Sequence, residues 1–322
     1  MLDHQYQYTT SIENILNVWR HFLSGKRRKR DVIQFQFNLA DNLAALYHEL
    51  ESKTYIHGPY SVFTIADPKP RIIHKATVRD RVVHRLIYKT LYWHFHFRFI
   101  HDSYSCRLSK GSHKAIERFN SFARRASQNH TRTCYVLKCD IKKFFANIDQ
   151  KILSKILERQ IADDDLLWLI KQVVSSFYST QPGIGLPLGN LTSQLFANTY
   201  LHEFDMYVKQ ELRVKYYIRY ADDFVILSDS RDYLDKLLPF FKNFLQSKLH
   251  LTMHEYKVFI KTYASGVDFL GWVNFPHHRQ VRTVTKKRML RKLEGWPKKE
   301  TVNSYRGLLS HGDTYKLWKN LF

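Results

Sequence analysis

The sequence predicts an α+β protein, because segments with helical and strand periodicity alternate along the chain around one apolar hairpin. The hairpin comprises Tyr216–Tyr220 and Phe224–Leu227, which flank a tight turn at Ala221-Asp222-Asp223. A second observation is the segment 12–50, in which apolar residues recur at helical spacing. The third is the segment 134–140, which reads as a strand that ends in an aspartate.

The same periodicities predict the other elements. Short strands are expected within 58–75, broken by Gly58-Pro59 and Pro68-Lys69-Pro70, and a helix is expected over 77–100. Asp149 and Asn190 are each expected to cap the start of a helix, since short polar side chains accept hydrogen bonds from the first backbone amides. Further elements are predicted as a helix at 232–249, a strand pair through 269–272 and basic helices near the C-terminus. The aromatic residues of the 77–100 helix are predicted to pack in the core, with a base-stacking platform as the alternative; they are Tyr88, Tyr92, Trp93, Phe95, Phe97 and Phe99.

The net charge of the chain limits the kinds of partner that it is expected to bind. Lys and Arg number 51 against 29 Asp and Glu, a net charge of +22, which indicates a polyanion and favours nucleic acid over an anionic membrane. No apolar run approaches the roughly 18 residues of a membrane span, and the start shows no signal-peptide pattern, so no membrane association is expected. Three cysteines without a paired spacing predict neither a zinc site nor a disulfide framework, which suits a cytoplasmic protein.

Three aspartates suggest a catalytic centre. Asp222 and Asp223 are adjacent acids between apolar strands, a pair that is costly unless a cation compensates it. Taken alone, this pair would usually be an ordinary acidic turn, but Asp140 also ends an apolar strand. Carboxylates from two strands can hold two divalent metal ions, the arrangement that nucleotidyl transfer needs. The sequence therefore predicts a metal-dependent nucleotidyltransferase.

Four segments together resemble the ordered motifs of reverse transcriptases. They are Cys139-Asp140-Ile141-Lys142-Lys143-Phe144-Phe145 for the first palm motif, Gly185-Leu186-Pro187-Leu188-Gly189-Asn190-Leu191-Thr192-Ser193-Gln194 for the second, Tyr220-Ala221-Asp222-Asp223 for the Tyr-x-Asp-Asp box and Phe269-Leu270-Gly271-Trp272 for the primer grip. Each motif alone is weak, but the set occurs in the family's order. The resemblance implies an RNA-directed DNA polymerase with a right-hand fold of fingers, an antiparallel palm with helices, and a short helical thumb. The implied domains are 1–135 for the N-terminal helices and fingers, 136–282 for the palm and 283–322 for the thumb.

The resemblance also implies roles for the catalytic residues. Asp140 and Asp222 would bind two Mg²⁺ ions, for which Mn²⁺ could substitute, with Asp223 supporting them and Ile141 at the same metal site. Phe145 matches the family's steric gate, which excludes a 2′-hydroxyl and so selects dNTPs, although core packing is the alternative for this ring. The residues implied to form the dNTP-binding site are Lys69, Arg71, Arg107, Phe144, Phe145, Leu188, Gly189, Gln194 and Lys257, with Lys261 a competitor for the role of Lys257.

Two departures from the common second motif point to a subtype. Leu188 stands where most reverse transcriptases have a glutamine that touches the new base pair, and Gln194 stands where most have a proline. These residues, and the segment 275–279, resemble the reverse transcriptases of diversity-generating retroelements, which are bacterial or phage-encoded. The resemblance implies error-prone copying of a template RNA at adenines and a basic accessory variability determinant protein that forms a ring. The alternatives are a retron, an antiphage-defence or a group II intron-type reverse transcriptase and, from another class, a catalytically silent RNA-binding protein on a polymerase scaffold.

Two basic segments remain. Residues 26–30 are consecutive Lys and Arg, which fits either a solvated loop or a phosphate contact. Residues 286–299 are rich in Lys and Arg around Trp296, which suits a thumb helix on the primer–template backbone. We expect no ribonuclease H, maturase or endonuclease domain within the 322 residues.

Overall fold

The computed structural model describes residues 1–66 and 70–319, and these form two compact units. Each unit is assembled from segments that are far apart in the sequence. Unit 1 comprises Met1–His101, Ile141–Tyr207 and Asn243–Thr252, and unit 2 comprises Asp102–Asp140, Val208–Lys242 and Met253–Phe322. The division into three domains at residues 135 and 282 stays a prediction.

Helices and antiparallel strands are mixed along the chain, which confirms the predicted α+β class. The helices are α1 Tyr6–Thr10, α2 Ile12–Phe22, α3 Arg30–Phe37, α4 Leu39–Glu51, α5 Val78–His96, α6 Ser112–Ala126, α7 Phe144–Asn147, α8 Gln150–Glu158, α9 Asp164–Ser175, α10 Leu191–Met206, α11 Arg231–Leu249, α12 Thr283–Leu293, α13 Lys299–Leu309 and α14 Tyr315–Lys319. The strands are β1 Ser61–Ile65, β2 Arg71–Lys75, β3 Tyr135–Asp140, β4 Tyr217–Tyr220, β5 Asp223–Ser228, β6 Phe259–Thr262, β7 Val267–Phe269, β8 Trp272–Asn274 and β9 Arg279–Val281. No helix in the described ranges is long and apolar enough to cross a membrane.

Polar side chains fix two helix starts, as predicted, but in different ways. The Asp149 carboxylate accepts from the backbone amides of Lys151 and Ile152 at 2.8 and 3.1 Å, which caps α8. Asn190 occupies the N-cap position of α10, so the boundary is correct, yet the predicted capping bond is wrong. Its amide nitrogen instead donates to the His74 carbonyl at 2.9 Å and ties the loop before α10 to β2.

The core of unit 1 is built around α5, which packs on α2 and α10. Val82, Leu86 and Leu91 of this helix are fully buried, since apolar residues at helical spacing form one continuous face. The predicted core placement of the aromatic residues in this region is wrong for two of them. Trp93 and Phe97 are 52% and 78% exposed, because the other apolar side chains of α5 already fill the faces that pack on its neighbours.

A chain of hydrogen bonds crosses the interior of unit 1. The Gly58 carbonyl can only accept, so the Nδ1 atom of His57, 2.6 Å away, carries a proton. The Nε2 atom of His57 must then accept from Nε2 of His84 at 3.1 Å. The Nδ1 atom of His84 in turn accepts from the Thr192 hydroxyl at 2.5 Å. The arrangement is complete with both imidazoles neutral, and the two cannot both be protonated, since two N–H groups would then face each other at the Nε2 atoms.

Burial favours that neutral state. It lowers the pKa of His84 to about 3, with the charge of His57 adding to the effect and Asp80 opposing it. Burial also lowers the pKa of His57, against the opposing charge of Asp80. The fully buried Asp80 carboxylate is itself held by the Tyr55 hydroxyl at 2.8 Å and the Thr77 hydroxyl at 2.5 Å.

We predict that His84→Gln weakens the acid sensitivity of folding. The pKa of His84 is lower in the folded than in the unfolded chain, so its contribution is complete above about pH 6.5 and is lost as the pH falls toward 3. Between pH 6 and 5 the wild type should lose about 1 kcal/mol more unfolding free energy than the variant. Urea unfolding at both pH values measures this, with the exposed His4→Gln as control. Equal losses in the wild type and His84→Gln would contradict the prediction.

Unit 2 contains two antiparallel sheets. One has the strand order β4-β5-β3-β6, and the other has the order β7-β8-β9. Phe119 of α6, Ile218 of β4 and Val225 of β5 lie in one buried cluster with Phe269 and Trp272. This cluster joins α6 to both sheets, so the apolar faces of the strands are covered and their polar ends remain at the edge.

Candidate active site

The three predicted catalytic aspartates come together at one end of the larger sheet of unit 2. Asp140, the last residue of β3, lies directly opposite Asp223, the first residue of β5. Asp222 is the second residue of the two-residue turn between β4 and β5. The observed turn is therefore one residue shorter than the predicted one, because Asp223 belongs to β5. Directly opposed residues of an antiparallel pair point to the same face, which places the Asp140 and Asp223 side chains side by side.

The apolar strands fix this register. Val136, Leu137 and Cys139 of β3 are buried, and so are Phe224 to Leu227 of β5. A slip by one residue would turn each buried side chain to the other face, so burial selects the pairing that opposes the two acids. The turn itself is unusual, since Ala221 has a φ of +54°, a left-handed conformation that residues with a Cβ rarely adopt.

Burial and mutual repulsion destabilise the ionised acids. Burial raises the pKa of Asp222 to about 6, and the charges of Asp223 and Asp140 add to the effect, against a backbone hydrogen bond and Lys257. The pKa of Asp223 is raised mainly by burial, with Asp140 adding and Lys138, Lys257 and Arg282 opposing. Any cation that binds among these carboxylates would stabilise their ionised forms.

Two lysines partly compensate these charges. The Nζ atom of Lys257 lies 2.9 Å from Oδ1 of Asp140, whereas Lys261 lies over the ring of Phe259. The Nζ atom of Lys138 is 3.8 Å from Oδ1 of Asp223 and donates to the Asp268 carbonyl at 3.1 Å. Lys257, rather than Lys261, therefore lies beside the acids.

Two of the predicted nucleotide-binding residues of unit 1, Leu188 and Gly189, lie against β2. The backbone amide of His74 donates to the Leu188 carbonyl at 2.9 Å, which places the loop before α10 against this strand. Gly189 has a φ of +107°, and a Cβ there would lie 2.6 Å from Cγ2 of Ile73, so only glycine fits. The Leu186 amide donates to the carbonyl of Phe145 at 2.8 Å, which adds the predicted steric gate to the same loop.

The other predicted residues of unit 1 differ in exposure. Arg71 is exposed on β2, Leu188 and Phe145 are half-buried, and Gln194 is exposed in the first turn of α10. Phe144 and Ile141 are buried in the core, which suits packing better than direct contact with a ligand. Lys69 lies outside the described residues.

The remaining predicted residues lie in unit 2. Arg107 is half-buried, and its guanidinium donates to the Ser103 carbonyl at 2.8 Å. Phe269 and Trp272 pair across a two-residue hairpin, and both are buried. Leu270 and Gly271 form its turn with φ values of +52° and +90°, as a hairpin with the natural strand twist requires.

Comparison with known proteins identifies the family. Residues 66–273 match the family described as reverse transcriptase (RNA-dependent DNA polymerase). The chain belongs to the reverse transcriptase family. This membership implies RNA-directed DNA polymerase chemistry. The four predicted motifs fall within the matched range, whereas the basic segments 26–30 and 286–299 lie outside it.

Individual relatives are distant. The chain is 24% identical to Protein YkfC of Escherichia coli K12, over 88% of this chain and 81% of YkfC. It is 25% identical to an uncharacterized 91 kDa protein in a cob intron of Schizosaccharomyces pombe, over 45% of this chain but 17% of that protein. A solved telomerase from Candida albicans, in complex with a fragment of telomeric RNA, matches with a TM-score of 0.51 at 11% identity, over 73% of this chain and 46% of the telomerase. That likeness supports the polymerase fold.

The acids of this reverse transcriptase fit a divalent cation by type and by charge. Carboxylate oxygens are the preferred ligands of Mg²⁺. The raised pKa values of Asp222 and Asp223 indicate that a bound cation would stabilise their ionised forms. Across residues 1–66 and 70–319, however, no group of three or more His, Cys, Asp or Glu side chains already forms a metal cage. Asp140 is instead bound to Lys257. The side chains would therefore rearrange when a cation binds.

Sequence reasoning missed two residues that support the acids. Arg219 is fully buried on β4, and its guanidinium donates to the carbonyl of Ala221 at 3.1 Å, which holds the strained turn before Asp222. Lys138 lies two residues before Asp140 on β3 and therefore on the same face. The period of two along a strand could have indicated Lys138, but no local pattern indicates that Arg219 points into the core.

We predict that Asp222→Asn stabilises the metal-free protein. The pKa of Asp222 is higher in the folded than in the unfolded chain, so its ionisation costs stability above about pH 6, and asparagine removes that cost. In EDTA at pH 8 the variant should melt about 2–4 °C higher than the wild type, and the gain should vanish as the pH falls to about 4.

Thermal melts with and without Mn²⁺ complete this measurement. The wild type should gain melting temperature from the ion and Asp222→Asn should gain less, because one carboxylate is lost. The exposed Asp229→Asn, just after β5, is the control and should behave as the wild type. A variant that melts below the wild type in EDTA at pH 8 would count against the electrostatic account.

Proposed function

We propose that this chain is an active RNA-directed DNA polymerase that extends a primer with dNTPs on a template RNA. The observation that carries the proposal is the strand register that sets Asp140 opposite Asp223 and beside Asp222. These carboxylates would hold two Mg²⁺ ions, which supply activation of the primer 3′-hydroxyl and stabilise the leaving pyrophosphate. Mn²⁺ is the expected substitute, and Ile141 would serve only through its backbone, since its side chain is buried.

The other residues that match the family's motifs would divide the remaining work. Arg71 is exposed and carries a forked guanidinium suited to phosphate oxygens, and Lys69 would add a point charge. Phe145 would lie against the sugar and exclude a 2′-hydroxyl. The ammonium of Lys257, beside Asp140, would donate a proton to the pyrophosphate oxygen. Arg107 would contact the triphosphate or the template, and residues 269–272 would support the primer end.

Primer extension on an RNA template tests the activity. The wild type should extend a DNA primer with dNTPs and Mg²⁺, whereas Asp222→Asn should lose roughly three orders of magnitude or more in rate, because the reacting oxygens lose a catalytic ligand. Asp229→Asn should remain within about twofold of the wild type. Absence of extension by the wild type, with RNA binding intact, would instead favour a catalytically silent RNA-binding protein.

We further propose that synthesis is error-prone, mainly at template adenines, in a diversity-generating retroelement. Support comes from Leu188, whose aliphatic side chain cannot hydrogen-bond to a base or sugar, and whose backbone is held to β2 by His74. Gln194, at the exposed start of α10, is the second departure from the common motif. A basic accessory variability determinant protein is the proposed partner, with residues 26–30 and 286–299 as candidate RNA or protein contacts.

Sequencing of cDNA made from a defined template tests this subtype. The wild type should misincorporate most often opposite adenine, and Leu188→Gln should lower that error rate by up to about tenfold while synthesis continues, since one added hydrogen bond contributes about 1 kcal/mol. Leu188→Met is the matched control, because it keeps an apolar side chain of similar size. A flat error spectrum across the four template bases would remove the proposal of adenine mutagenesis.

A second candidate is an intron-encoded reverse transcriptase. The match to the cob intron protein favours it, although the match covers a small part of that protein. A retron or an antiphage-defence enzyme would have the same polymerase centre. A paired template repeat and variable repeat beside the gene would indicate the diversity-generating element, whereas intron sequence on both sides would indicate the alternative.

A further inference from the structure

The C-terminal end of α5 in unit 1 carries an exposed aromatic pair. Trp93 is 52% and Phe97 is 78% exposed, and their rings stack with centroids 5.6 Å apart and an interplanar angle of 24°. A contiguous exposed apolar surface is a feature of binding sites, and these two stacked rings form one. Neither residue belongs to the segments assigned to nucleotide, metal or primer binding.

This aromatic pair is held in place. The ring of Trp93 contacts His96 edge-on at 5.4 Å and Tyr92 edge-on at 5.1 Å. Tyr92 and Phe95 are buried, so they anchor this turn of the helix in the core of unit 1. The exposed rings are therefore preorganised, and a ligand that stacks on them would pay little conformational entropy.

The charge around the pair favours an anionic ligand. No acidic residue occurs between Arg81 and His101, whereas this segment contains Arg85, Lys89 and Arg98. The exposed Arg98 follows Phe97, and its guanidinium donates to the His94 carbonyl at 2.8 Å, which fixes it near the rings.

We propose that Trp93 and Phe97 form a stacking site for unpaired bases of RNA. Aromatic faces beside cations suit single-stranded nucleic acid, because each base offers a flat ring and each nucleotide a negative charge. An apolar protein partner would account for the exposed rings but not for the neighbouring cations. A partner that binds only through its negative charge would account for the cations but not for the stacked rings. The inference rests on the proposed function only in taking the RNA to be the template, and it adds a contact outside the polymerase centre.

Fluorescence anisotropy with the whole chain and a labelled single-stranded RNA of about 12 nucleotides, in EDTA and without dNTPs, tests the site. Trp93→Leu and Phe97→Leu keep an apolar side chain but remove the flat ring. Each should weaken binding about fivefold or more, and the double variant should weaken it further. Phe97→Tyr, which keeps the ring, should bind as the wild type does.

Phe240→Leu is the matched control, since Phe240 is also 52% exposed on a helix, α11, but lies outside this cationic segment. It should leave RNA affinity unchanged, as should all the variants for double-stranded RNA of the same length. Circular dichroism and melting temperature would verify that each variant folds.

Two results would overturn the proposal. Unchanged single-strand affinity in the double Leu variant would show that the rings do not stack on bases. Equal losses in Phe240→Leu or on duplex RNA would show a general effect and not a site. Because the assay needs no catalysis, failed primer extension with ring-dependent binding would reject only the polymerase proposal, and normal extension with ring-independent binding would reject only this one.

Discussion

The pairing of β3 with β5 is the constraint on which the candidate active site depends. It sets Asp140 opposite Asp223 at the edge of a sheet whose interior is apolar. The two carboxylates repel each other, and burial adds to the cost, as the raised pKa values of Asp222 and Asp223 show. The burial of the strands supplies the free energy that holds the acids together, since any slip in register would expose the apolar faces.

Local contacts stabilise the acids and the turn before them. Lys257 and Lys138 place ammonium groups beside Asp140 and Asp223, and the latter lysine also reaches the backbone of Asp268 next to the β7–β8 hairpin. The buried guanidinium of Arg219 holds the carbonyl of Ala221 in the left-handed turn. The lysines do not fully offset the burial and repulsion of the acids, because the pKa values of Asp222 and Asp223 stay raised.

In unit 1 the constraint is the close approach of two backbone segments, β2 and the loop before α10. Gly189 lets the loop before α10 lie against Ile73, and hydrogen bonds from His74 and Asn190 fasten the loop to β2. The same loop carries Leu188, whose side chain is therefore positioned by backbone contacts and not by its own chemistry. Because backbone contacts hold the loop, a change of the Leu188 side chain should keep the fold, as the proposed test of copying accuracy requires.

The sequence alone determined the class, the main strands and helices and the two hairpins, because these depend on periodicity and turn chemistry within a few residues. It also indicated the three acids, since their motifs are local. The tertiary structure decided which lysine reaches Asp140, that Arg219 is buried, and that Trp93 and Phe97 face water. It also decided β6 and β9, which are four and three residues long, too short for a periodic signal. These outcomes depend on contacts between residues that are far apart in the sequence, and no local sequence pattern indicates such contacts.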